Sequence, residues 1–225
     1  MKPTTDIGVA VLKEQITKSQ QTLNETRYNP MSVCEWFGSA HQVTYVCEKF
    51  EKKGADNRLE RTRAVVITVS DKGFRGERQD ESGPLLCQLV TEMGAQVVST
   101  HLLPDEQEQI VSLLSCLVDD GEADLILTTG GTGPSPRDVT PEATRSVIER
   151  EMPGLAELLR WDGYHRTPFA VLSRGVCGIR GKTLILNLPG SPKAVREGME
   201  VLTPLLPAAL ALIKNETPID GLCTP

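Results

Sequence analysis

The chain has 225 residues, of which 39% are apolar and 24% charged, values ordinary for a globular protein with one sizeable core and room for an extension. A net charge of −6 and an aromatic content of 4% exclude a basic nucleic-acid footprint and an aromatic base-stacking platform. Charge is uneven: 10 Lys and Arg face 8 Asp and Glu in residues 1–63, but 14 face 22 in the rest, so phosphate binding by this acidic body requires a cation such as Mg²⁺.

Residues 1–62 form an extension of unknown role. A Gln/Thr/Lys-rich stretch at 7–23 has weak helical periodicity (Val9, Leu12, Ile16), Asn29-Pro30 breaks it, and 43–47 is a short strand candidate. Charge is dense over 48–63, His41 stands alone, and no chemistry is legible there. From Arg63 the pattern becomes regular. A β-branched run at 64–70 predicts a strand ending in the polar loop Ser70-Asp71-Lys72-Gly73. Ser82 opens a helix that Gly94 stops, and 96–102 reads as a second strand. Asp105 is placed to cap the next helix, with Glu108 completing a capping box. A short apolar strand at 124–128 precedes a glycine-rich loop, and Thr140 as N-cap with Pro141 at the first helical position predicts the following helix start. Another helix begins near Glu151, two strands flank Gly181, and a helix over 193–213 is kinked or split by Pro204 and Pro207. A short tail follows at 215–225.

Strands alternating with helices predict an α/β fold of three layers, a mostly parallel sheet with helices on both faces. Ligands of such sheets bind outside the carboxyl ends of the strands. The loops at 70–76, 103–106, 129–138 and 188–193 all fall at that edge, so one pocket is expected from them.

The central loop, Thr129-Gly-Gly-Thr-Gly-Pro-Ser-Pro-Arg-Asp138, is the most informative stretch. Its glycines allow backbone N–H groups to approach an anion that side chains would block. It is neither a Walker A loop nor a dinucleotide fingerprint, because Pro136 stands where the third glycine belongs. Asp71, Asp105 and Asp138 each follow a strand end and can converge on one hard cation. Asp71 reads equally as a turn residue and Asp105 equally as a helix cap, whereas Asp138 has the least structural excuse. Lys72, Arg75 and Arg78 suit either phosphates or solvent, and Ser191 either a phosphate or a plain turn. No histidine is paired with Ser70, Thr132 or Ser135, which argues against covalent serine catalysis.

The six cysteines (Cys34, Cys47, Cys87, Cys116, Cys177 and Cys223) lack Cys-x-x-Cys or zinc spacing, and most read as small buried hydrophobes. The first residues lack a signal-peptide core, and no run approaches the roughly 18 apolar residues of a membrane span. A cytoplasmic setting is expected.

Six motifs occur in one order: Val69-Ser70-Asp71, Leu103-Pro-Asp105-Glu-Gln107, the loop from Thr129 through Arg137-Asp-Val-Thr-Pro-Glu142, Glu151-Met-Pro-Gly154, Leu172-Ser-Arg174 and Leu186-Asn-Leu-Pro-Gly190. Together they resemble the molybdopterin adenylyltransferase family of molybdenum cofactor biosynthesis, the MogA type, to which the G domain of gephyrin belongs. The resemblance covers about residues 63–214. The Pro-Asp-Glu and Arg-Asp-Val-Thr-Pro elements favour that branch over the related MoaB branch. The resemblance implies a MogA/MoaB-like fold, a homotrimer, and Mg²⁺-dependent transfer of an adenylyl group from ATP to molybdopterin with release of pyrophosphate. It further implies Asp105 and Asp138 as the catalytic, metal-organising carboxylates. Gly130, Gly131, Thr132 and Gly133 would cradle phosphate and pterin groups, and Ser70, Asp71, Pro189, Gly190 and Ser191 would line the pocket. The molybdenum insertase is an implied partner. The alternatives are a non-catalytic molybdopterin-binding scaffold and an enzyme of the same fold acting on another nucleotide.

Overall fold

The computed structural model describes residues 59–216; the expected helix at 7–23, the strand at 43–47 and His41 lie outside the described residues. Arg63–Val69 (β1) is buried from Ala64 onward, as the β-branched run predicts for an inner parallel strand. A single helical turn at Asp71–Phe74 (α1) and the helix Ser82–Glu92 (α2) lead to Gln96–Leu103 (β2). Gln107–Asp119 (α3), Leu125–Thr129 (β3) and Thr140–Val147 (α4) follow. The chain continues through Arg150–Glu151 (β4), Pro153–Arg166 (α5), a 3-10 turn at Pro168–Leu172, Cys177–Arg180 (β5) and Thr183–Leu188 (β6). Pro192–Leu202 (α6) and Leu206–Lys214 (α7) close it, so the expected closing helix is indeed split at its prolines.

The sheet order is β2-β1-β3-β6-β5-β4. The four strands β2, β1, β3 and β6 are parallel, while β5 and β4 run antiparallel, which fits the expected mostly parallel sheet. Register aligns their carboxyl ends: Val69 pairs with Leu103, Thr68 with Thr129, and Thr129 with Leu188. Chain order reverses beside β1, with β2 on one side and β3 on the other, so a crevice opens between the loops that leave β1 and β3.

Alternate side chains enter two cores, as the period of a strand demands. Val66, Leu127 and Leu186 pack with Leu86 of α2 and Val195 and Met199 of α6 on one face. Val65, Ile67, Ile126 and Ile185 pack with Ile110 and Leu114 of α3 and Val147 of α4 on the other. The result is three layers. Leu59 belongs to the first core and its amide donates to the Met93 carbonyl at 2.6 Å, so residues 59–62 pack with this domain.

One buried polar group braces the sheet beneath the strand-end loops. Asn187 Nδ2 donates to Thr128 Oγ1 and Thr144 Oγ1 at 3.0 and 2.9 Å, while Oδ1 accepts from the Val176 amide at 3.0 Å.

The cysteine expectation is corrected. Cys177 is buried, and burial pushes its thiol up to about 12, but Cys87 is half-buried and Cys116 is exposed with its Sγ 3.0 Å from Asp120 Oδ2. Cys116 lies on the outer face of α3, where an i,i+4 polar partner replaces core contacts.

Candidate functional site

The glycine loop is held by its carbonyls. Thr140 Oγ1 donates to the Gly130 carbonyl at 2.9 Å, and the Thr140 amide donates to that of Gly131 at 3.1 Å. The Thr132 carbonyl accepts from the Arg174 amide and the Gly133 carbonyl from Arg174 Nε, both at 2.8 Å. The amides of Gly131, Thr132 and Gly133 donate to no protein acceptor among the described residues. Carbonyls engaged outward and amides left without protein acceptors make a concave anion cradle. Gly130 and Gly131 have φ of 98° and 62°, the left-handed region that only glycine enters cheaply. Gly190 passes so close that a Cβ on it would lie 3.1 Å from Gly130 Cα, and Thr129 Oγ1 donates to the Pro189 carbonyl at 2.8 Å.

The Thr140 expectation is corrected here. Val139 is the N-cap of α4, and Thr140 is the first helical residue, whose hydroxyl ties down the glycine loop instead of capping the helix. Asp105 is likewise not a cap. Helix α3 begins at Gln107 with Glu106 as N-cap, no side chain caps it, and Glu108 therefore completes no capping box. Asp105 Oδ2 instead accepts from the Asp71 amide at 2.9 Å, and Asp71 Oδ1 accepts from the Asp105 amide at 3.1 Å. A reciprocal side-chain bond across two loops wins over a local cap.

Arg137 extends that clasp. It donates from Nε and Nη2 to Asp71, each at 3.1 Å, and from Nη2 to Glu106 Oε1 at 2.9 Å. The guanidinium, followed by the Asp105 amide, holds the Asp71 carboxyl below the usual aspartate range. Burial raises the Asp105 carboxyl, opposed by the bond from the Asp71 amide and reinforced by the negative charges of Asp71 and Asp138. Asp138 Oδ2 accepts from the Ser135 amide at 3.0 Å and closes the loop's last turn.

The loops wall a cavity of about 860 Å³. Ser70, Asp105, Gly130, Gly131, Thr132, Gly133, Asp138, Pro189, Gly190 and Ser191 all line it. Asp71 does not, because its carboxylate faces Arg137 and the Asp105 amide. Ser70 and Ser191 reach the cavity but spend Oγ as helix caps, accepting from the amides of Gly73 and Ala194. Of the three basic candidates in the first loop only Arg78 lines the cavity; Arg75 is paired with Glu77, and Lys72 is exposed. Ala156, Leu159, Gly163, Phe169 and Leu172 give the same cavity apolar lining from α5 and the 3-10 turn.

Two basic residues of the site carry no role in the sequence reading. Arg160 lines the cavity from α5 and donates Nη1 to the Gly175 carbonyl at 2.9 Å. Arg174 holds the glycine loop from behind. Its motif, Leu172-Ser-Arg174, is visible in the sequence, but only the tertiary fold brings it to residues 132–138.

A divalent cation fits the donor set in one particular way. Asp105 Oδ1 lies 2.8 Å from where a Cβ on Gly131 would be, and Asp138 Oδ2 the same distance from one on Gly133, so both carboxylates face the loop. Among the described residues no group of three or more His, Cys, Asp or Glu is disposed to hold a metal. Two carboxylates beside free amides suit Mg²⁺ completed by ligand phosphates and not a metal caged by protein alone.

Sheet, crevice and glycine loop define an α/β protein with a cavity at the carboxyl edge of its parallel strands. The chain matches the family described as "Probable molybdopterin binding domain" over residues 65–208 and belongs to it. It is 46% identical over 140 residues to the molybdopterin adenylyltransferase of Escherichia coli K12, covering 61% of this chain and 72% of that protein. It is 47% identical over 152 residues to the molybdenum cofactor synthesis protein cinnamon of Drosophila melanogaster, covering 67% of this chain and only 25% of that much longer protein. Among solved structures, the molybdopterin biosynthesis enzyme MoaB of Thermus thermophilus superposes with a TM-score of 0.66 at 52% identity, covering 70% of this chain and 98% of that one.

Proposed function

We propose that the chain is a molybdopterin adenylyltransferase, joining the AMP moiety of ATP to the terminal phosphate of molybdopterin and releasing pyrophosphate. The reading is carried by one juxtaposition: three loop amides with no acceptor among the described residues lie beside two carboxylates in a single cavity. The names of the relatives support it.

An oxygen of the molybdopterin phosphate attacks the α-phosphorus of ATP, forming a new P–O bond. The bond from that phosphorus to the bridging oxygen breaks, and the electron pair leaves with pyrophosphate. The nucleophile is already an anion, so the site needs no strong base; alignment and charge neutralisation supply the acceleration. Gly131, Thr132 and Gly133 present amides to phosphate oxygens. Asp105 and Asp138 would hold Mg²⁺, which when bound would neutralise charge on the triphosphate. Arg78 and Arg160 supply the cations nearest the rest of the cavity. The apolar wall at Leu159, Phe169 and Leu172 excludes water from the ring system of the pterin.

The same reading takes the protein as a cytoplasmic homotrimer that hands its product to a molybdenum insertase. No helix among the described residues is long and apolar enough to cross a membrane. Incubating the full chain with molybdopterin, Mg²⁺ and α-labelled ATP is expected to give labelled adenylyl-molybdopterin and one equivalent of pyrophosphate. Tight molybdopterin binding without labelled product would instead establish a scaffold.

A further inference from the structure

We infer that Arg174 is a positioning residue for the nucleotide phosphates, acting through the glycine loop; the inference rests on the adenylyl-transfer reading of this cavity. Arg174 lies between the 3-10 turn and β5, and its side chain is 36% exposed. Its donors reach three parts of one loop and its flanking helix. Nε donates to the Gly133 carbonyl at 2.8 Å, Nη2 to the Asp138 carbonyl at 2.6 Å, and Nη1 to Glu142 Oε1, while its amide takes the Thr132 carbonyl at 2.8 Å. Glu142 sits in the first turn of α4, and its other carboxylate oxygen is buried without a partner among the described residues, so its engagement there is with Arg174.

Two consequences follow from this geometry. A trans peptide points its N–H opposite its C=O. Fixing the Thr132 carbonyl on Arg174 therefore turns the Gly133 amide the other way, and Gly133 lines the cavity. Arg174 also pins Gly133 and Asp138, the two ends of the segment whose carboxylate faces Gly133. A planar guanidinium satisfies three acceptors in a fixed fork, which a lysine ammonium on a flexible stem does not.

The test compares Arg174→Ala, Arg174→Lys and Glu142→Gln with the wild-type chain. Turnover, KM for each substrate, thermal midpoint and calorimetric binding of α,β-methylene-ATP are measured with and without added guanidinium. Arg174→Ala is expected to lose about 10²-fold in kcat, the scale of a small misplacement at a reacting centre. Its KM for molybdopterin stays within threefold, because the Arg174 side chain bonds to Gly133, Asp138 and Glu142 and not to Leu159 or Phe169 of the apolar lining, and nucleotide-analogue binding weakens about tenfold. Guanidinium restores part of both losses in the alanine variant and changes nothing in the wild type. Arg174→Lys remains impaired, and Glu142→Gln is intermediate. Wild-type kcat and analogue binding in folded Arg174→Ala overturn the inference. So does a loss that follows the thermal midpoint alone and is not rescued. A wild-type chain that binds the analogue but transfers no adenylyl group overturns the function reading, and the binding measurements then still decide Arg174.

Discussion

Asp71 and Asp105 each accept a hydrogen bond from the other's backbone amide, at 3.1 and 2.9 Å, so the loops after β1 and β2 form one unit. Asp105 thereby keeps one oxygen for the clasp and turns the other toward Gly131. Asp105→Asn retains an oxygen for the Asp71 amide but removes the charge. Turnover is expected to fall about 10²–10³-fold, as when one electrostatic group is deleted from a preorganised site, with little change in thermal midpoint. Asp105→Ala should in addition lose about 1–3 kcal/mol of stability, since a part-buried amide loses its acceptor. Steady-state kinetics and melting curves on both variants separate the two contributions; full turnover by the asparagine variant would remove Asp105 from the chemistry.

Asp138 has a narrower structural duty, accepting from the Ser135 amide at 3.0 Å. Asparagine can also accept that bond. Asp138→Asn is therefore expected to fold and bind molybdopterin as the wild type does, yet lose at least about 10²-fold in turnover. Fluorescence titration with molybdopterin beside the labelled-ATP assay reads both properties on one sample. Loss of pterin binding together with turnover would show that the residue shapes the pocket and not the transfer step.

Gly131 combines two demands on one position. Its φ of 62° costs a residue with a Cβ about 1–2 kcal/mol, and a Cβ there would clash with Thr140 Oγ1 and stand 2.8 Å from Asp105 Oδ1. Gly131→Ala should lower stability by at least about that amount and also displace the Thr140 hydroxyl and the Asp105 carboxylate. The expected signature is a larger loss of turnover than the melting shift explains, measured well below the melting temperature. Turnover that simply tracks the folded fraction would show that the loop tolerates the methyl group.

The strands were legible because β-branched and apolar runs such as Ala64–Val69 report burial on both sheet faces directly. The convergence of the strand-end loops followed from fold class alone. What local sequence could not reveal was the choice each polar side chain makes between near and distant partners. Thr140 and Asp105 have the composition of helix caps, yet they bond to Gly130 and Asp71 across the fold. Asp71 looked like a pocket residue and is spent on Arg137 and the Asp105 amide. Arg174 stood in a recognised motif with no role, because the acceptors of its side chain lie 32 to 41 residues away. The two-residue strand β4 is too short for any periodicity to show.

Asp124 provides a measurement of stability that is independent of the site. It lies at the start of β3 and is buried, a state that by itself would raise its carboxyl. Arg63 outweighs that by donating from its amide, Nε and Nη2 at 2.8, 3.2 and 3.1 Å, with Lys214 Nζ at 3.4 Å adding to it. The net result is a carboxyl below the ordinary aspartate range. A folded value below the unfolded one means stabilisation that is complete above the unfolded value, about 3.9, and lost as pH falls through the folded value. Asp71 contributes with the same sign, and Asp105, raised by burial, with the opposite sign. Asp124→Asn should cost about 1–3 kcal/mol at neutral pH, because Arg63 and Lys214 lose a charged partner. Below about pH 4 the wild-type curve should descend toward that of the variant, which changes less. Urea midpoints from pH 7 down to pH 3 test this, and parallel curves across the acid range would show that the Arg63–Asp124–Lys214 cluster carries no pH-dependent stability.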